Sequence, residues 1–166
     1  MPLYFEDLIV GEERVSLISH VVTPEEIKEF AGKWDPQPFH VDEEAAAKSA
    51  YGGLVASSAH IFAINLRLGN HQKRNVAALA GLGMEELVFR HPVRPGDRLS
   101  WTSACTEKRV SRTRPDRGII TTLTRMLNQN GDVVMQCKAK ILVKRREPGE
   151  VEAEDDRGHE RNGSAR

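Results

Sequence analysis

The stretch VASSAHIFAINLRL (residues 55–68) is the most apolar run at helical spacing in the chain. Ala59, Phe62, Ala63 and Leu66 recur on one face, and Val55, Ile61 and Ile64 flank them. Apolar groups around most of the circumference predict a buried helix. The chain beyond it reads as strand and turn: 76–83, 86–89, 99–110, 118–128 and 133–143. Asn130-Gly131 is a two-residue hairpin signal between the last two strands, and Pro92 with Pro95-Gly96 marks another break. One central buried helix leading into antiparallel strands is an α+β arrangement.

Upstream, residues 14–22 (RVSLISHVV) read as a first strand. Thr23, Pro24 and Glu26 then open a helix as N-cap, first-position proline and capping-box acid, and Gly32 closes it. A short Ala-rich helix is expected over 43–48 with Asp42 at its start. Between these helices stands Trp34-Asp35-Pro36-Gln37-Pro38-Phe39-His40. Each proline disfavours helical backbone in the residue before it, so this segment is read as a non-helical loop. Fully extended, Asp35 and His40 would stand roughly 17 Å apart, so a shared substrate requires the loop to curl. A carboxylate and an imidazole on a stiffened loop suit proton transfer; the plainer reading is a proline-rich turn with a surface Asp and a stray His.

At 166 residues the chain has room for one domain with a core. Lys plus Arg equals Asp plus Glu at 24 each, so bulk charge favours neither nucleic acid nor membrane as a partner. The balance is uneven, because residues 146–166 hold seven acids and four Arg. That polar segment is expected to be a disordered tail after a domain spanning 1–145. Cys105 and Cys137 lack metal-ligand spacing and are expected as buried thiols. No basic flank precedes an apolar run at the N-terminus and no run nears the ~20 residues of a membrane span, so a cytoplasmic location is the default expectation.

Residues 30–42 (FAGKWDPQPFHVD) resemble the hydratase signature of the MaoC-like dehydratases, which include the (R)-specific enoyl-CoA hydratases. The Asp-to-His spacing, the proline two before the His and the Asp two after it all match. Tyr51-Gly52-Gly53-Leu54-Val55-Ala56-Ser57 is similar to the family's run into its central helix. Residues 81–87 and 92–97 are similar to its mid-sheet segment, so the resemblance covers about 5–145.

The resemblance implies a single hotdog fold, an antiparallel sheet wrapped around a long central helix, in at least a homodimer. It implies an acyl-CoA hydratase or dehydratase that adds water reversibly across a trans-2-enoyl thioester. Asp35 and His40 would be the catalytic pair, and the Ser58 N–H, at the start of the central helix, the carbonyl anchor. Such an anchor suits the enolate-like oxygen that develops there. Ser57, Gly53 and Trp34 join the expected substrate-binding set, with helix capping as the plainer role for the serines and loop cover for the Trp. Three positions depart from the pattern: Trp34 for a glycine, Gln37 for an asparagine and Ser58 for a glycine.

The basic hairpin tip at 108–117 offers Arg109 and Arg112 to coenzyme A phosphates, or is a solvated turn; Arg90 and Arg94 are alternatives. His60 and His91 are read as structural, and His20 is given no role. No metal or redox cofactor is expected, coenzyme A entering only as part of the substrate. Two rivals remain: a hotdog thioesterase, which would release thiol, and a non-catalytic acyl-CoA binder or assembly subunit, which would not need both Asp35 and His40.

Overall fold

The structure, a computed structural model, describes residues 1–146. The polar segment expected as a tail therefore lies, from residue 147 on, outside the described residues. Among the described residues, four α-helices, α1 (Pro24–Trp34), α2 (Pro38–Val41), α3 (Glu43–Ala47) and α4 (Ser58–Gly69), accompany six strands. These are β1 (Glu13–Val15), β2 (His20–Val21), β3 (Ala78–Phe89), β4 (Arg98–Val110), β5 (Arg117–Leu127) and β6 (Val133–Lys144). All strand pairs are antiparallel, in the order β1-β4-β5-β6-β3, with β2 also on β4. Ile61, Ile64 and Leu68 of α4 pack with Trp101, Met126, Val134 and Met135 of the sheet. This is the hotdog arrangement of the α+β class. Among the described residues, no helix is long and apolar enough to cross a membrane.

The central helix is less buried than its composition predicts. Its covered stripe is His60, Ile61, Ile64, Asn65 and Leu68, whereas Ala59, Ala63 and Leu66 are exposed. A helix laid on one face of a sheet has one side covered, and the rest of its apolar surface stays open in a single chain. The edge strand β3 shows the same imbalance, with Leu79, Leu82, Met84, Leu87 and Val88 all exposed.

Three strand expectations change. The first strand is split: in the register that pairs Arg14 with Ser103, Leu99 would face Ile18, yet it faces His20. Two extra residues therefore bulge out between β1 and β2. Residues 76–83 and 86–89 are not two strands, because β3 continues through register shifts at Gly81/Gly83 and Glu85/Val88, with Glu86 at φ 52° absorbing the second. The hairpin at Asn130-Gly131 is wider than two residues. The Asn128 side chain accepts from the N–H groups of Asn130 and Asp132, and Gly131 takes φ 84°. Cys105 and Cys137 are free and buried as expected. They lie on β4 and β6 with β5 between them, roughly 10 Å apart, too far to bridge.

A smaller core holds the N-terminal segment on the sheet: Phe5 and Leu8 against Cys105, Ile120 and Val143. Phe5 lies so close to Gly118 that a Cβ there would enter its ring. Lys108 Nζ donates to the Phe5 and Leu8 carbonyls, and Arg145 and Arg146 pair with Glu6 and Asp7.

Candidate active site

The loop after α1 curls at its prolines. Gln37 N–H donates to Asp35 O across Pro36, a three-residue turn, and Pro38 then opens the one-turn helix α2 with Gln37 as its N-cap. The prolines do hold Asp35 and Gln37 out of helical backbone, but the segment is not loop throughout, since His40 rides on α2. This curl closes the distance: His40 Nε2 stands 3.6 Å from Asp35 Oδ2.

Residue 55, just before α4, fixes the imidazole. Val55 N–H donates to Phe39 O, and His40 Nδ1 lies 2.7 Å from Val55 O. A carbonyl only accepts, so Nδ1 carries the proton and neutral His40 presents an open lone pair at Nε2 towards Asp35. Phe39 packs edge-on against the ring. His40 is buried at 6% exposure, while the Asp35 side chain is about a third exposed. The 3.6 Å gap is too long for a direct hydrogen bond. With the carboxylate ionised and the imidazole neutral both atoms are acceptors, and a water between them could donate to each.

A cavity of about 540 Å³ opens on this pair, lined also by Gln37, Ser58, Ile61, Phe89 and Arg90. Ser58 is the first residue of α4, where backbone N–H groups are left over by the helix. Ala56 N–H donates to Val93 O, tying this helix start to the segment that carries Arg90, His91 and Pro92 along the cavity.

The other expected site residues lie elsewhere. Ser57 is buried and its hydroxyl accepts from His60 N–H, capping α4. Trp34 is 73% exposed and, like Gly53, is not among the cavity-lining residues. Arg109 is eight residues along β4 from Trp101, which shares a rung with Met126, Met135 and Phe89 near the cavity. At the rise of an antiparallel strand that is roughly 27 Å, so the tip carrying Arg109 and Arg112 is remote from this chain's own Asp35. In that tip Lys108 holds the N-terminal segment, and Arg117 forms a two-pronged pair with Asp116. Of the alternatives, Arg94 donates to Tyr51 O and Arg90 lines the cavity.

A second imidazole–carboxylate cluster lies between α1 and α4, and sequence reasoning missed it because its members are far apart in the chain. Arg67 Nη1 donates to His20 Nδ1 at 2.9 Å, so His20 donates from Nε2 to Glu26 Oε1 at 2.8 Å. His60 Nε2 stands 3.5 Å from the same oxygen, and its ring stacks on Phe30 with centroids 4.7 Å apart. Burial, reinforced by His20, pushes His60 below its ordinary pKa of 6.5 against the opposing pull of Glu26. No group of three or more His, Cys, Asp or Glu among the described residues is arranged to hold a metal ion.

The model of the MaoC like domain matches residues 8–125. The chain belongs to the MaoC-like domain family. The uncharacterized protein YdeM of Bacillus subtilis is 34% identical over 125 residues, covering 75% of this chain and 87% of YdeM. A crystal structure of the MaoC-like dehydratase from Rhodospirillum rubrum matches with a TM-score of 0.82 at 44% identity, over 87% of this chain and 99% of that one. The (R)-hydratase from A. caviae involved in PHA biosynthesis matches with a TM-score of 0.60 at 25% identity, over 82% and 97%. A MaoC-like domain with these relatives supports hydratase or dehydratase chemistry in general terms.

Proposed function

We propose that this MaoC-like protein hydrates trans-2-enoyl-CoA thioesters, or dehydrates the corresponding 3-hydroxyacyl thioesters, with Asp35 and His40 as the acid/base pair. The observation that carries this reading is the locked imidazole: Nδ1 on Val55 O, Nε2 open and 3.6 Å from a carboxylate, on a cavity that Ser58 shares. A water donating to Nε2 and to Asp35 is held with its oxygen lone pairs free. As that oxygen bonds to Cβ, one water proton passes to the pair. The Cα=Cβ electrons move towards the thioester carbonyl, whose oxygen takes up negative charge at the Ser58 N–H. A proton from the pair then goes to Cα, so the water is divided between the two carbons and the pair is restored. The reaction so written needs no metal or redox cofactor.

Coenzyme A supplies the handle, and Arg90 at the cavity is the cation we assign to its phosphates, in place of Arg109 and Arg112 of the same chain. The open edge and exposed apolar residues of β3 support assembly as a homodimer through that strand. The test is to follow loss of enoyl absorbance and release of thiol together. Loss of absorbance without thiol supports hydration, and thiol release in its place identifies a thioesterase.

A further inference from the structure

A second cavity, of about 230 Å³, lies between the C-terminal half of α4 and the sheet. Phe62 and Asn65 reach it from the helix, Arg14 from β1, and Ser103, Thr122 and Thr124 from β4 and β5. Its lining is largely apolar, with Leu66, Val76, Met84, Trp101, Ala139 and Ile141, and three side-chain hydroxyls interrupt it. Ser103 is buried on β4, and Thr122 and Thr124 are buried between Ile120 and Met126 of β5.

Three side chains that line it have donor capacity to spare. Arg14 is partly buried, and among the described residues its side chain makes one hydrogen bond, from Nη1 to Gln72 Oε1. Among the described residues, no carboxylate stands within ion-pair distance of it. Gln72 in turn donates to Gly69 O at the end of α4, where the helix dipole offers roughly half a negative charge, less than a guanidinium needs. Asn65 Oδ1 accepts from Trp101 Nε1, which turns the Asn65 amide nitrogen away from that bond with no acceptor among the described residues. Thr124 donates to Ser103 Oγ, leaving the Ser103 hydroxyl proton likewise without one. An apolar chain buried on these groups would leave each donor unpaired. An anion that only accepts hydrogen bonds satisfies all three.

We infer that this cavity receives the far end of the acyl group and that this end is a carboxylate, held by Arg14, Asn65 and Ser103. The inference rests on the hydratase reading above and adds the substrate class to it. Phe62 is the neighbour of Ile61, a lining residue of the first cavity, and Phe62 and Asn65 lie roughly 6 and 10 Å along the helix from Ser58. The inference has the acyl chain follow α4 from Ser58, across the Ile61–Phe62 step that separates the two cavities, to Arg14.

The test uses trans-2-enoyl-CoA thioesters of graded length, each with a methyl or a carboxylate terminus, on the full chain. At the best length the wild type should favour the carboxylate form by about tenfold or more in kcat/KM. Arg14→Met should erase that preference, and Arg14→Lys should keep part of it. If Arg14→Met fails to fold, Ser103→Ala, which removes one donor, should lower the preference severalfold. Preference for the methyl form, or a carboxylate preference untouched by these variants, overturns the inference. If no enoyl thioester is hydrated, the hydratase reading has failed and the anion site is judged separately with free glutarate. A rise in melting temperature for the wild type that Arg14→Met lacks then supports a carboxylate site for a free ligand, and no rise in the wild type overturns the site too.

Discussion

Two imidazole–carboxylate pairs occupy one small domain at nearly the same separation, 3.6 Å for His40 and Asp35 and 3.5 Å for His60 and Glu26. Their surroundings differ. Glu26 Oε1 already accepts from His20, which Arg67 backs, and the His60 ring lies flat on Phe30. Among the described residues Asp35 Oδ2 meets only His40, and the pair opens on a cavity with a helix N-terminus on its wall. Distance between a His and an acid therefore does not distinguish a reactive pair from a structural one. What distinguishes them is an unused lone pair with room for a reactant in front of it.

The largest expected effect bears on the open pair. Asp35→Asn keeps the shape of the side chain and removes the carboxylate, so hydration should slow by about 10²–10⁴-fold while the denaturation midpoint hardly moves. Next comes the closed pair. His60→Ala takes away a buried ring stacked between two helices and should destabilise the fold by about 2–3 kcal/mol, read from urea unfolding.

The closed pair should also show in pH. Burial holds His60 below its ordinary 6.5 in the folded chain, so on acidification the unfolded chain binds the proton first. Stability should fall as pH drops below about 6.5, by at most ~1.4 kcal/mol per pH unit, and level off beneath the depressed folded pKa. Urea unfolding across that range, repeated on His60→Phe, should show the same descent with this component removed. The smallest effect concerns the rim of the open pair. Gln37 is the N-cap of α2 without a side-chain cap bond, so Gln37→Asn should add up to about 1 kcal/mol of stability and leave turnover within about twofold.

Local chemistry made much of the fold legible. Thr23 and Asp42 cap α1 and α3 through the side-chain bonds that the sequence suggests. The alternation of β5 is read directly in its burial. What the sequence hid depends on contacts between distant segments. The bond from His40 Nδ1 to Val55 O spans fifteen residues and involves a carbonyl, which leaves no trace in side-chain identity. The splitting of the first strand is a register slip against β4, and the break read near Glu86 is a bulge within one strand. The basic tip looked suited to phosphate by composition, but the length of β4 carries it away from Asp35. Nothing in the sequence sets Arg14 apart, because the absence, among the described residues, of a carboxylate within ion-pair distance appears only when β1, α4 and the sheet are assembled.

The most direct test is to measure enoyl-CoA hydration and the urea midpoint side by side for His40→Ala and His60→Ala. The two variants should part company. His40→Ala should lose turnover by at least about 10²-fold and remain folded, whereas His60→Ala should lose stability and keep its turnover per folded molecule within a few-fold. A His40→Ala protein that hydrates at the wild-type rate, or a folded His60→Ala protein as inactive as His40→Ala, would contradict the assignment of the open pair as the reactive one.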